Sequence, residues 1–243
     1  MQLKGEKLRL ARILGRVGIA YGKDLAVMSG AKEYTATRKR LLDMEKMGFV
    51  NEAWREGKKA YCLTTAGLSV SDTTIRKPFQ IKGQTTDHSL LVSMLAAYIH
   101  LNKMISIDSI FFDADMRGMA EFQPEGKRGK GARGTHMPDL ICGSTAFEVE
   151  LNAKSKRRLA ENIAAESRVF SGSVWIVPSH LKSLQRQIME EARKNGFPVS
   201  IISVENLEER MKRPDLSKNS DGKPAPLKLK KPEAYDLLKE EFQ

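Results

Sequence analysis

The chain has 243 residues, of which 41 are Lys or Arg and 30 are Asp or Glu, a formal net charge of +11 at pH 7. That length holds one large domain or two modest ones, with a core that needs no disulfide or metal staple. The positive excess points to a polyanionic partner, nucleic acid ahead of an acidic membrane surface. The two cysteines, Cys62 and Cys142, exclude a disulfide framework and a cysteine zinc site, and no apolar run approaches the ~20 residues of a membrane span.

The opening "MQLKGEKLRLARILGRVG" lacks a secretory apolar region with a small-residue cleavage site, so a cytoplasmic protein without membrane insertion is expected. It reads as an amphipathic helix with Leu8, Ala11, Ile13 and Leu14 on the apolar stripe. "GKDLAVMSG" predicts a short helix ended by Gly30, and "KEYTATRKRLLDMEKMG" a third helix over about 33–47, stopped by Gly48. "FVNEAW" and "KAYCLT" then alternate like strands around the turn "REGK". Three helices and a hairpin are the order of a winged helix-turn-helix, expected over 1–70. The first half of the third helix carries Thr35, Thr37, Arg38, Lys39 and Arg40, suited to a major groove, and its second half carries Leu41, Leu42, Met44 and Met47, suited to burial. Arg55, Lys58 and Lys59 at the hairpin tip would touch phosphates. The competing reading is a solvated cationic face on a domain that binds another protein. The phrase "AYCLTTAGLS" resembles the wing strand and following turn of many winged-helix regulators.

Residues 71–85, "SDTTIRKPFQIKGQT", read as a polar linker. A helix is predicted over 87–102, capped by Thr86 or Asp87, and a strand over 105–113. The stretch "EGKRGKGARG", with Lys127, Arg128 and Lys130, is expected to be a flexible DNA-binding loop. "MPDLIC" and "TAFEVEL" are short strands joined by Gly143-Ser144, "SKRRLAENIAAESRVF" is a helix, "SVWIVP" a strand, "LKSLQRQIMEEARKNG" a helix and "PVSIIS" a last strand. The closing β-α-β units imply parallel strands, giving an α/β or α+β domain over 86–210 around one mixed sheet. The tail, 211–243, begins as a Lys- and Pro-rich arm able to grip phosphates and closes on a short helix.

Within that frame Asp139 starts one strand and Glu148 and Glu150 share a face of the next, because side chains at i and i+2 point the same way. If the strands pair as a hairpin, three carboxylates converge where a hard cation, Mg²⁺ or Mn²⁺, prefers oxygen ligands. The bland alternative puts Glu148 and Glu150 on a solvent face with Phe147, Val149 and Leu151 inward. Against it, a strand followed by a crossover helix is covered on both faces. His88 and His136 are further candidates, the latter as a proton shuttle near neutral pH; each also reads as an ordinary helix-start or loop residue.

Pro138-Asp139, Glu148 and Glu150, with the surrounding element order, resemble the PD-(D/E)xK nuclease superfamily, the fold of type II restriction enzymes. The resemblance implies a restriction-endonuclease-like core, metal held by Asp139, Glu148 and Glu150, and Mg²⁺ or Mn²⁺ as cofactor. Glu150 stands where that superfamily usually has a lysine, and Lys154 or Lys156 would supply the missing charge. The whole chain resembles plasmid mobilisation relaxases of the MobC type and the related replication-relaxation proteins. That likeness implies metal-dependent nicking of one DNA strand at a transfer origin, within a relaxosome that includes an accessory mobilisation protein and a coupling protein. The histidines, His88, His100, His136 and His180, include no closely spaced pair of the kind most relaxases use for metal. Tyr98 is open as a nucleophile or as a buried tyrosine. A non-catalytic winged-helix regulator and an endonuclease cutting both strands remain as alternatives.

Overall fold

The computed structural model describes residues 3–73, 77–103, 105–116 and 136–212. The expected basic loop with Lys127, Arg128 and Lys130, and the tail beyond residue 212, lie outside the described residues. Met1–Met211 form one compact unit, and all that follows concerns it. It is a mixed α+β structure with two sheets.

The first sheet belongs to the N-terminal segment. Helix α1 (Gly5–Val17) buries Leu10, Ala11, Ile13, Leu14 and Val17, while Leu8, expected in the stripe, is only half-buried. A strand that the sequence did not announce follows, β1 (Ile19–Tyr21), then α2 (Gly22–Met28) and α3 (Tyr34–Lys46). The α3 stop is chemical: Gly48, at φ +76°, and Phe49 return their amides to the Glu45 and Met44 carbonyls. Strands β2 (Val50–Arg55) and β3 (Lys58–Leu63) pair antiparallel, with β3 in the middle of the order β1-β3-β2. Their two-residue turn places Glu56 at φ +50° and Gly57 at +71°, the left-handed pair that matches strand twist in a tight hairpin. A short helix, α4 (Thr65–Ser69), is capped by the Thr64 hydroxyl, which accepts from the Gly67 amide.

The segment expected as a linker packs back. Ser71 is buried, Thr73 lies over Gly15, and a Cβ on Gly18 would come 2.9 Å from the Phe79 ring. Helix α5 (Gly83–Lys103) begins before the expected cap residues. Thr86 still serves the helix start, its hydroxyl accepting from the Lys82 amide at 2.7 Å, but Asp87 turns to Arg55. Buried Leu90, Leu91, Val92, Met94, Leu95, Ala96, Ala97 and Ile99 leave α5 with little amphipathic contrast. The reason is its place: it contacts α2 and β1, and also a strand (Thr145–Val149) and a helix (Val204–Met211) of the second sheet's layers. Arg16 adds a second tie, from α1 across to Asp115 and to the carbonyls of Ile107 and Ile110, with its guanidinium over the Phe112 ring.

The second sheet has the order β4-β5-β6-β7-β8: β4 (Ile110–Phe112), β5 (Leu140–Cys142), β6 (Thr145–Val149), β7 (Gly172–Val177) and β8 (Val199–Ser203). β4, β5 and β6 pair antiparallel, whereas β6, β7 and β8 run parallel, as crossover helices require. The expected long strand over 105–113 shortens to β4 between a 3₁₀ turn (Ile107–Ser109) and α6 (Asp113–Met116). The crossovers are α7 (Lys156–Glu166), capped by the Ser155 hydroxyl, and α8 (Lys182–Lys194); α9 (Val204–Met211) closes the unit. One core cluster joins Leu159 and Ile163 of α7, Leu184 and Ile188 of α8, and Trp175, Val177 and Phe197. Fully buried Trp175, its indole donating to the Ser173 hydroxyl, anchors that layer; truncating such a residue costs about 3–5 kcal/mol. Cys62 and Cys142 are buried free thiols, and among the described residues no helix is long and apolar enough to cross a membrane.

Candidate metal centre and nucleic-acid surface

β6 is interior, flanked by β5 and β7, so polar side chains near its carboxyl end need protein partners. Glu148 is directly opposite Trp175 in the parallel register, which places it on the face that α7 and α8 cover. Glu148 is 3% exposed and Glu150 7%. The solvent-face reading of these glutamates is thereby excluded, although Val149 is also buried, as a strand covered on both sides requires.

The tight β5–β6 connection brings Asp139 to the same end. Its Oδ2 accepts from the Val149 amide at 2.8 Å and lies 3.1 Å from His88 Nε2, on α5. Burial acts to lower the His88 pKa, but the Asp139 hydrogen bond, with the charges of Asp139, Glu148 and Glu150, raises it overall. Glu150 turns to Lys154, whose ammonium pairs with Oε2 and lies 6.0 Å from the Trp175 ring centre, while Oε1 accepts from the Asn152 amide. Lys156 is the exposed first residue of α7.

Glu148 has different company. His136, in the segment just before β5, puts Nε2 2.7 Å from Glu148 Oε1 and 3.2 Å from Oε1 of Glu166, the last residue of α7. Glu166 is 1% exposed, and among the described residues its Oε2 has no hydrogen-bond partner. Burial pushes Glu148 up to about 8, the Asp139 and Glu166 charges adding to it and His136 opposing. For His136 burial acts downward, but its bonds to Glu148 and Glu166 win and hold it at about 9. Among the described residues, the His/Cys/Asp/Glu group whose ligand atoms all lie within 4.8 Å of one another is His136, Glu148 and Glu166. Asp139 and Glu150 flank it, each held by its own partner, rather than joining Glu148 in the expected three-carboxylate set.

Glu166 is the residue that the sequence reading missed. The signal was there: Leu159, Ile163 and Glu166 follow the i, i+4, i+7 spacing of the buried face of α7, so a carboxylate occupies an apolar stripe position. Tyr98 is half-buried, and its hydroxyl accepts from Arg210 of α9 at 2.8 Å.

Those of the expected DNA-binding side chains that are described separate into three groups, exposed, buried and ion-paired. Thr35, Arg38 and Lys39 on α3 and Lys58 on the hairpin are exposed, with Lys58 5.2 Å from the Tyr21 ring centre. Thr37 is a correction: it is 1% exposed, turned inward by helical spacing beside Leu41 and Met44, and offers no side chain to a groove. Arg40 pairs with Glu6, Arg55 bidentately with Asp87, and Lys59 with Glu52 at 2.7 Å. The β2–β3 hairpin also exposes Trp54, 64% accessible, with the Lys59 ammonium 5.1 Å from its ring centre. No protein-family model matches the chain, and no curated protein or solved structure is similar enough to match.

Proposed function

We propose that the chain is a metal-dependent DNA endonuclease, a plasmid mobilisation relaxase of the MobC type that nicks one strand at a transfer origin. One observation carries the reading: Glu148, buried on the interior strand β6, and Glu150, buried just past its end, have Asp139 beside them on the Val149 amide and Lys154 paired with Glu150, close enough for a cation to draw the three carboxylates together. Buried carboxyls crowded so that burial and Asp139 push Glu148 to about 8 are a donor set that a hard cation compensates. Asp139, Glu148 and Glu150 would hold Mg²⁺ or Mn²⁺, which when bound offsets charge on a phosphate and favours ionised water. Lys154 stands beside Glu150, where it can face the scissile phosphate. His88 orients Asp139 through its ring nitrogen.

The remaining architecture supports this reading. Helices α1, α2 and α3 followed by the β2–β3 hairpin suit a winged helix, with α3 presenting Thr35, Arg38 and Lys39 to DNA. The sheet β4–β8, antiparallel and then parallel, with α5 before it and α7 and α8 as crossovers, suits a restriction-endonuclease-like core. The partners under this reading are the transfer origin, an accessory mobilisation protein and a coupling protein.

The test is incubation of the full chain with supercoiled plasmid carrying its cognate transfer origin and Mg²⁺ or Mn²⁺. Open circles nicked at one position are expected, with Asp139→Ala and Glu150→Ala slower by about 10²-fold or more, as loss of a metal ligand exceeds loss of an outer-shell contact. Linear product would replace the reading by a restriction-type endonuclease. Tight origin binding without cleavage would replace it by a regulator.

A further inference from the structure

We infer that His136, Glu148 and Glu166 form a binding site for a divalent transition-metal cation, one imidazole nitrogen and two carboxylates from three separate elements. The site is not the Asp139, Glu148 and Glu150 set proposed for nicking, but it overlaps that set. It shares Glu148 with that set but draws its nitrogen from the segment before β5 and its second carboxylate from the end of α7.

The geometry is that of a coordination sphere before the ion enters. Metal bonds of about 2.0–2.2 Å place neighbouring ligand atoms roughly 3 Å apart. The Nε2–Oε1 separations here are 2.7 and 3.2 Å, and the three ligand atoms all lie within 4.8 Å of one another, so a cation needs only side-chain adjustment once it replaces the imidazole proton. The second argument is the unanswered carboxylate. Glu166 is 1% exposed and, among the described residues, its Oε2 is unpartnered while Oε1 faces His136, so the group points into the cluster with half its acceptor capacity unused. Among the described residues, no lysine or arginine pairs with Glu148 or Glu166; His136 is their common partner. A hydrogen-bonded network built for stability alone would satisfy that oxygen, because a half-satisfied buried network is worse than an apolar core.

The donor set also selects the ion. An imidazole with carboxylates suits Mn²⁺ or Zn²⁺, whereas Mg²⁺ favours oxygen ligands and retained waters. Entry is available on the imidazole side, where the His136 side chain is 19% exposed against 4% and 0% for its partners.

The test uses the chelated full-length protein and Mn²⁺, read by electron paramagnetic resonance. Loss of the free-ion signal counts bound metal, and pulsed echo modulation reports a coordinated imidazole nitrogen. Wild type is expected to bind with nitrogen modulation. Glu166→Gln, which keeps shape and a hydrogen bond, and His136→Ala should each weaken binding by at least about 10-fold, the latter losing the modulation. His88→Ala should keep the modulation, which separates the two histidines. A melting curve shows whether each variant is folded, and Glu166→Gln carries the decision if His136→Ala is not. Absent nitrogen modulation in the wild type, modulation that survives His136→Ala, or unchanged affinity in folded Glu166→Gln would each overturn the site. Because the readout is metal binding, the inference and the nicking reading fail separately: bound Mn²⁺ on His136 without nicking defeats only the latter, and nicking with unaltered binding by Glu166→Gln defeats only the former.

Discussion

The N-terminal surface and the acid cluster at the end of β6 treat charge in opposite ways. On the surface, four cations are each answered by a carboxylate of their own: Lys7 by Asp43, Arg40 by Glu6, Arg55 by Asp87, Lys59 by Glu52. In the cluster, the carboxylates of Glu148 and Glu166 share one imidazole. The difference follows from solvent. An exposed pair contributes about 0–1 kcal/mol because water already screens each charge. A buried charge without a partner costs several kcal/mol. Surface pairing is thus a weak guide to what a residue is for, while a persistent imbalance in the interior calls for a cation.

The sharpest way to break this comparison is to remove the imidazole that the two buried carboxylates share. In metal-free protein, His136→Ala should lower unfolding stability by about 3 kcal/mol, since it leaves two buried carboxyls without a partner. Urea denaturation measures it, and adding Glu148→Gln and Glu166→Gln should restore much of the loss. A drop no larger than that of an exposed pair would mean that water reaches the cluster.

A pH series on the chelated wild type sharpens the same point. His136 is raised from 6.5 to about 9 in the folded chain, so its contribution is complete below pH 6.5 and lost as pH rises through 9. Glu148 is raised from 4.5 to about 8, so the folded state favours its protonated form and loses stability as pH rises from 4.5 through 8. Between pH 6.5 and 8 both groups bind more protons folded than unfolded. The sign is therefore the same however the proton is shared: the urea midpoint should fall as pH rises across that window, and His136→Ala should flatten the slope. A rising midpoint would contradict the burial of this pair.

These residues also mark where the sequence was legible. Glu148 and Glu150 could be placed on one face because strand periodicity is local, and Asp139 could be brought near them because Gly143-Ser144 closes a two-residue hairpin. Glu166 could be reached only through the pitch and docking of α7. Strand β1 went unseen because its Ile19–Tyr21 segment is too short to show alternation and pairs with β3, far along the chain. The polar 71–85 segment read as a linker because nothing local reveals that Phe79 covers Gly18 or that Thr73 covers Gly15. For α5, a helix buried by two sheets loses the amphipathic signal that would have fixed its start. Cations at the hairpin were legible as cations but not as partners, because Asp87 lies 32 residues from Arg55 in sequence.

The smallest expected effect tests that last distinction on DNA. Each phosphate contact removed should lower the slope of log affinity against log salt by about 1. Replacing exposed Arg38 and Lys39 by alanine should therefore flatten the slope by about 2, measured by fluorescence anisotropy on a labelled duplex. Replacing Arg55 and Lys59 should flatten it less, because those charges already face Asp87 and Glu52, and should show instead as a lower melting temperature. Thr37→Val should leave the slope unchanged, its side chain being buried beneath α3. Equal flattening by both cation pairs would show that internal partners release their cations to phosphate at no cost. The positive surface would then act as one field, and the contrast with the interior would reduce to burial alone.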